Sequence, residues 1–153
     1  MKLYLVQHGE AKKEAEDSSR PLTDKGKADA EKVANAARKL GTRPSFVFHS
    51  GKLRADQTAK IMADVLEVSR EPEVALGLNP NDDVRSWAAK VSQQSEDLML
   101  VGHLPFMDRL ASLLLCADEN SGVIQFRHGA IVCLEREAEG TWRLQWILAP
   151  DLV

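Results

Sequence analysis

The sequence predicts an α/β fold: a three-layer α/β/α sandwich built on a mostly parallel sheet with an antiparallel edge strand. Short apolar runs, typical of strands buried in parallel sheets, alternate with stretches that carry apolar residues at helical spacing. Near the carboxyl end, two strand-like segments separated by Glu139-Gly140 predict a hairpin instead. The 153 residues, 44% of them hydrophobic and 28% charged, fit a single domain over residues 1–153.

The apolar patterns place the elements of the first half in order. The run Leu3–Val6 predicts the first strand. A helix is expected from the N-cap Thr23 to the stop at Gly41. A second strand over Phe46–Phe48 and a second helix from about Lys52 follow it.

The second half continues the alternation before the hairpin. A short extended stretch, Glu73–Leu76, precedes a helix that we expect Asn79-Pro80 to open, because proline is favoured in the first helical turn. The remaining predicted elements are a strand at Leu98–Val101, a helix from Pro105 through Leu115, and strands at Ala130–Leu134 and Trp142–Leu148.

Three of the predicted strands end beside a histidine. They end in His8-Gly9, His49-Ser50 and Gly102-His103. Because the carboxyl ends of parallel strands meet at one edge of an open α/β sheet, these histidines are expected to converge. A metal site, local structural bonding and phosphoryl transfer to histidine each explain such a convergence.

The first two explanations account for less of the pattern. Glu10, Asp82 and Asp83 offer carboxylates for a metal, but no pair of ligands has the spacing of four residues that is typical of a helical site. The sequence therefore predicts no metal and no cofactor. For His49 and His128 taken individually, a local structural role is the expected one.

Phosphoryl transfer makes further demands that the sequence meets. The attacking histidine must be neutral, and the phosphoryl group needs cationic donors that match its oxygens. Arg20 precedes Pro21-Leu22-Thr23, and Arg54 lies at the start of the second helix, where backbone N–H groups also favour anions. His103 is a second histidine that can donate to phosphoryl oxygens.

Taken in chain order, the motifs of this sequence resemble those of the histidine phosphatase superfamily, which is phosphoglycerate mutase-like. The short chain is most similar to the SixA-type branch of phosphohistidine phosphatases, and the resemblance runs from residue 1 to about residue 150. The motifs that carry it are Gln7–Ala11, Arg20–Thr23, His49–Ala59 and Val101–Pro105.

The resemblance implies a phosphoenzyme route that needs no metal. His8 would accept the phosphoryl group, Arg54 and His103 would hold its oxygens, and water would then release phosphate. The positions expected to border the bound substrate are Gln7, Gly9, Arg20 and Gly102.

The sequence departs from the family pattern at Gln7, where the family usually has the arginine of an Arg-His-Gly motif. Loss of one charge-assisted hydrogen bond costs about 1.5 to 3 kcal/mol. This leaves open a catalytically weakened, phosphate-binding regulatory module. Gln7→Arg is expected to raise phosphate affinity.

The general acid is the second gap. Gly77 stands where an acidic residue often precedes the leucine, so the candidate acids are Asp82 and Asp83. Both also fit as charges that stabilise the first turn of a helix. A phosphoramidate substrate makes a strong acid less necessary, because its nitrogen-containing leaving group can arrive already protonated.

The predicted function is therefore removal of a phosphoryl group from a protein histidine, with a phosphotransfer domain or a phosphocarrier as partner. A phosphatase of a small phosphoester or anhydride is the alternative enzyme. The net charge of −3 argues against nucleic acid and anionic membranes as partners. Two widely separated cysteines, and no apolar stretch typical of a secretion signal, predict a cytoplasmic protein.

Overall fold

The computed structural model describes residues 1–153 and contains one six-stranded sheet with four helices. The strands are β1 (Lys2–Gln7), β2 (Phe46–His49), β3 (Glu73–Val74), β4 (Leu98–Gly102), β5 (Ile131–Arg136) and β6 (Trp142–Leu148). The helices are α1 (Asp24–Lys39), α2 (Leu53–Val65), α3 (Val84–Gln93) and α4 (Phe106–Cys116). The predicted α/β class is confirmed.

The sheet has the strand order β3-β2-β4-β1-β5-β6. Strands β1 to β4 are parallel, whereas β5 is antiparallel to both of its neighbours, β1 and β6. Strand β5 is thus the one strand that runs opposite to the other five, and it lies next to the edge strand β6. The central pair β4 and β1 brings together chain segments that are about a hundred residues apart in sequence.

The two faces of the sheet are covered by different pairs of helices, which confirms the three-layer prediction. Leu3 and Leu5 of β1 belong to an apolar cluster with α3 and α4, and Tyr4 and Val6 belong to a cluster with α1 and α2. Each fully buried apolar side chain contributes about 1.5 to 3 kcal/mol. His8 continues the alternation of Tyr4 and Val6, so its side chain is directed towards the α1–α2 layer.

The helix expected to open at Asn79-Pro80 begins instead at Val84, and that boundary was wrong. The carboxylate of Asp82 accepts a hydrogen bond from the Asn79 N–H at 2.9 Å, which closes a separate turn before the helix. Asp83 is the N-cap, and its side chain accepts from the Arg85 N–H at 3.0 Å. A capping carboxylate outweighs the preference of proline for a first turn.

The other boundaries agree with the prediction to within about two residues. Thr23 caps α1 by accepting a hydrogen bond from the Gly26 N–H at 2.9 Å. Cys133 is buried in β5, and Cys116 is exposed; neither forms a disulfide. None of the four helices combines the length and the apolar character that crossing a membrane requires.

Candidate active site

Two predicted site histidines lie side by side at the carboxyl ends of β1 and β4. The His8 N–H donates to the Gly102 carbonyl oxygen at 2.9 Å, which continues the pairing of the two strands by one residue. The centroids of the His8 and His103 rings are 5.0 Å apart. Both side chains are buried, since His8 is 6% and His103 is 2% exposed. The sheet topology therefore brings together His8 and His103, whereas His49, the third histidine expected there, contacts Gly51 and Asp56 instead.

The orientation and protonation of His8 are fixed by its surroundings. Its Nδ1 lies 2.7 Å from the Gly9 carbonyl oxygen. Because a carbonyl oxygen only accepts, Nδ1 carries the proton and Nε2 keeps its lone pair. Burial lowers the pKa of His8 to about 4, and the nearby positive charge of Arg54 adds to this effect. The imidazole is thus neutral and nucleophilic at physiological pH.

The segment after His8 is held by α1 and α2. The Gly9 N–H donates to Thr58 Oγ1 at 3.0 Å, and the Thr58 hydroxyl donates to the Arg54 carbonyl oxygen at 2.7 Å. A Cβ at Gly9 would lie 2.9 Å from the Gly26 carbonyl oxygen, and one at Gly26 would lie 2.1 Å from that of Glu10. Both glycines are therefore required by close packing of this segment against α1. Since both of its polar groups are used within the protein, Gly9 positions His8.

His103 is also held neutral. Burial lowers its pKa to about 3, and the adjacent His8 and Arg54 lower it further. Its Nε2 lies 2.6 Å from the Ser50 hydroxyl oxygen, while its Nδ1 is buried without a partner. Gly102, before it, has no room for a side chain, because a Cβ there would lie 2.6 Å from Met107 Cε.

The two predicted arginines reach the same region without counter-ions. Burial lowers the pKa of Arg54, and so does the positive charge of nearby Arg20. Arg20 adopts a φ of 49°, in the left-handed region, and its Nε donates to the Lys12 carbonyl oxygen at 3.1 Å. Neither guanidinium takes part in any ion pair of the protein. An uncompensated pair of this kind is suited to binding an anion.

Unsatisfied polar atoms mark the same place. Four buried side-chain polar atoms of the protein have no partner, and three of them belong to predicted site residues: Gln7 Oε1, Arg54 Nε and His103 Nδ1. Buried polar groups without a hydrogen bond are costly and rare in folded proteins. Their concentration here indicates that a polar ligand completes the site.

Gln7 does not stand alone at the end of β1. Its Nε2 lies 3.2 Å from Nδ1 of His128, and the rings of His128 and His8 have centroids 5.2 Å apart. His128 therefore lies at the site, although its sequence context indicated only a local structural role. His49 does have such a role, because its Nδ1 accepts from the Gly51 N–H and its Nε2 lies 3.5 Å from Asp56 Oδ1.

The candidate acids are engaged in local structure. Asp82 accepts from the Asn79 N–H, and Asp83 caps α3 and pairs with Arg85 at 3.1 Å. Asp83 thus matches the helix-stabilising alternative that the sequence left open, whereas Asp82 stabilises the turn that precedes the helix. The protein contains no group of three or more His, Cys, Asp or Glu side chains arranged to hold a metal ion.

Three supporting residues were missed as site residues. Ser50 contacts His103, Thr58 holds Gly9, and Gln57 Oε1 accepts from the Leu22 N–H at 2.8 Å, which ties the Arg20 loop to α2. All three lie inside the motif His49–Ala59, so the signal was present in the sequence. Their partners are distant in sequence, and only the fold identifies them.

Comparison with known proteins agrees with this geometry. Residues 3–78 match the model of the histidine phosphatase superfamily (branch 1). The chain is 33% identical over 144 residues to an uncharacterised protein of Picosynechococcus sp., covering 85% of this chain and 87% of that protein. It is 28% identical over 155 residues to the phosphohistidine phosphatase SixA of Escherichia coli (strain K12), covering 98% and 94%.

A solved structure is similar over nearly the whole chain. It is the protein histidine phosphatase SixA complexed with tungstate, with a TM-score of 0.87, 26% identity, and coverage of 99% of this chain and 98% of that one. The resemblance to SixA-type proteins that the motifs predict is thus confirmed, with phosphatase as the class of enzyme. The chain belongs to the histidine phosphatase superfamily.

Proposed function

We propose that this protein is a phosphohistidine phosphatase, which removes a phosphoryl group from a histidine of another protein through a phospho-His8 intermediate and without a metal ion. One observation carries the proposal: a neutral, oriented His8 lies beside two arginines that have no counter-ion. The whole of residues 1–153 would act as one histidine phosphatase domain.

In the first step, the Nε2 lone pair of His8 attacks phosphorus. A new P–N bond forms to Nε2, and the P–N bond to the substrate imidazole breaks, with its electron pair going to that nitrogen. Phosphorylation of Nε2 leaves a positive charge on the His8 ring. The Gly9 carbonyl oxygen, 2.7 Å from Nδ1, stabilises that charge as it develops.

Cationic and neutral donors hold the transferred group. Arg54 and Arg20 supply the positive charge, while Arg54 Nε and His103 Nδ1 are the buried atoms that lack partners. A hydrogen bond to a charged group contributes about 1.5 to 3 kcal/mol. These side chains would supply the electrostatic stabilisation for which other phosphatases use a metal ion.

In the second step, water attacks phosphorus and the P–N bond to His8 breaks. The electron pair returns to Nε2, inorganic phosphate leaves, and a proton of the water passes to phosphate or solvent. Asp82 and Asp83 stay candidates for proton donation in the first step. Their local contacts favour a substrate whose leaving imidazole already carries a proton on the ring nitrogen that is not bonded to phosphorus, which a phosphohistidine can provide.

The relatives support this choice of substrate. The E. coli relative is a phosphohistidine phosphatase that this chain matches over nearly its full length, and the similar solved structure binds tungstate, a tetrahedral oxyanion like phosphate. The partner would be a histidine-containing phosphotransfer domain or a phosphocarrier protein. Recognition would take place on the surface around His8.

Phosphate release from two substrates, a chemically phosphorylated histidine protein and p-nitrophenyl phosphate, tests the proposed function. Wild type is expected to prefer the phosphohistidine protein, and His8→Ala is expected to release no phosphate above background. The matched control is His49→Gln, a second buried histidine that is bonded to Asp56 and Gly51 instead. It is expected to keep the activity, with folding of each variant checked by circular dichroism.

Two results would overturn the assignment. Hydrolysis of the ester alone would indicate a phosphatase of small phosphoesters. Binding of phosphate without release from either substrate would indicate a regulatory module.

A further inference from the structure

Gln7 leaves the site without the positive charge that the Arg-His-Gly pattern places before the nucleophile. The residue that contacts the Gln7 amide is His128, on the loop that leads into β5. This loop is fixed to the end of β1, because the Gly129 N–H lies 3.0 Å from the Gln7 carbonyl oxygen and 3.2 Å from that of His8. His128 is thus held beside the nucleophile by its own backbone.

The contacts of His128 Nδ1 determine the state of its other ring nitrogen. Nδ1 lies 3.2 Å from Gln7 Nε2 and 3.2 Å from the His8 carbonyl oxygen. If the Gln7 amide donates to Nδ1, the ring of neutral His128 carries its proton on Nε2.

In this tautomer Nε2–H is a donor that no acceptor of the protein uses. The remaining tautomer, with the proton on Nδ1 only, would set that N–H against the N–H of the Gln7 amide. Gln7 is therefore suited to keep His128 Nε2 as a donor. A ring whose centroid is 5.2 Å from that of His8 is within reach of oxygens on a phosphoryl group bound there.

No carboxylate competes for His128. It lines an open cavity of about 300 Å³ that also contains Glu10, Lys25 and Arg127. In that cavity Lys25 pairs with Asp29, Arg127 pairs with Asp151, and Glu10 lies 3.9 Å from Lys25. His128 forms no ion pair with any of them, so its Nε2 has no partner within the protein.

We propose that His128 is a further phosphate-binding residue of this site, which supplies a hydrogen-bond donor in place of the arginine missing at position 7, and that Gln7 positions it. The inference rests on the proposed function for its role in turnover, but phosphate binding tests it directly. The sequence would thus carry a linked pair, glutamine at 7 and histidine at 128, in place of one arginine.

The test measures the dissociation constant of inorganic phosphate by calorimetry for wild type, His128→Ala, Gln7→Arg and the double variant. His128→Ala is expected to weaken binding about tenfold or more, the loss typical of one charge-assisted hydrogen bond. Gln7→Arg is expected to strengthen binding far more in the His128→Ala background than in wild type. Rescue of this kind would not follow if His128 had only a structural role.

The matched control is Arg127→Ala, which removes a neighbouring exposed positive charge on the same loop. Its phosphate affinity is expected to stay within about twofold of wild type, because long-range fields at the surface are screened by salt. An equal loss in Arg127→Ala, unchanged binding in His128→Ala, or no rescue by Gln7→Arg would each overturn the proposal.

The experiments distinguish failure of the proposed function from failure of the proposed role of His128. If wild type hydrolyses phosphohistidine, and His128→Ala binds phosphate and hydrolyses the substrate as well as wild type does, the proposed role of His128 is wrong and the proposed function stands. If wild type has no phosphatase activity but His128→Ala loses phosphate affinity, the function is wrong and the phosphate contact stands.

Discussion

A histidine accepts a phosphoryl group only while one ring nitrogen keeps its lone pair, and at His8 two features secure this. Burial and nearby cations lower its pKa to about 4, and the Gly9 carbonyl oxygen fixes the proton on Nδ1. His103 is held neutral in the same way, with its pKa lowered to about 3. The positive charge of the free site thus comes from arginines rather than from these two rings.

Both histidines are expected to titrate well below the ordinary range. In an NMR titration of the ring nitrogens, His8 and His103 should stay neutral down to about pH 5, because their pKa values lie near 4 and 3. His8 is expected to show the Nδ1–H tautomer. The urea-unfolded chain serves as control, since its histidines titrate near the ordinary value of about 6.5.

The lowered pKa values of the two histidines also predict how the free energy of unfolding depends on pH. As the pH falls from about 6.5 towards 4, the unfolded chain takes up protons that the folded chain does not, so the free energy of unfolding decreases. Titration of His8 near pH 6.5, or an Nε2–H tautomer, would contradict this description of the proposed nucleophile.

At the scale of elements, α2 connects the parts of the site. Its first turn carries Arg54, Thr58 one turn later accepts from the Gly9 N–H, and Gln57 accepts from the Leu22 N–H. The segment that follows His8 and the loop that carries Arg20 are therefore both bonded to the helix that carries Arg54. Movement of α2 would displace Arg54, the segment after His8 and the Arg20 loop together.

Thr58→Val tests this role of α2. Valine has nearly the same shape but leaves the Gly9 N–H buried without an acceptor, which costs about 1 to 3 kcal/mol of stability. The denaturant midpoint is expected to fall, and kcat is expected to fall with it because His8 loses its support. Thr58→Ser keeps the hydroxyl and is expected to retain most of the activity. Equal kcat values for the valine and serine variants would show that this hydrogen bond does not position His8.

The sequence predicts more of the elements than of the contacts between them. Strands and helices follow from local apolar patterns, and these patterns alone suffice to place His8, Arg54 and His103 at one edge of the sheet. The start of α3 depends on competition between Asp83 and Pro80 for the helix end, which a pattern does not resolve. The partners of Ser50 and Thr58 depend on packing across 49 residues or more.

At the scale of the whole molecule, the direction of β5 explains the presence of His128 at the site. A parallel strand delivers its carboxyl end to the functional edge, whereas a reversed strand delivers its amino end there. Because Ile131 of β5 pairs with Val6 of β1, the residues just before β5 lie beside His8. The hairpin predicted near the carboxyl end contained this information, but the sequence does not state which strand β5 would join.

The same topology places the candidate site away from the apolar core that stabilises the fold. The core on both faces of the sheet is apolar, and the site occupies the edge where β1 and β4 end, with cations gathered above the ends of two central strands. An anion can therefore be bound there without burying an unpaired charge in the core. The net charge of −3 for the whole chain conceals this local positive region.

The most direct test of the central claim is to trap the phosphoenzyme. The protein is mixed with the phosphohistidine protein, quenched in alkali to preserve phosphohistidine, and mapped by mass spectrometry. We predict one added phosphoryl group on the peptide that contains His8, located on His8, and none in His8→Ala. Release of phosphate by wild type with no label on His8, or with the label on another residue, would contradict a phospho-His8 route.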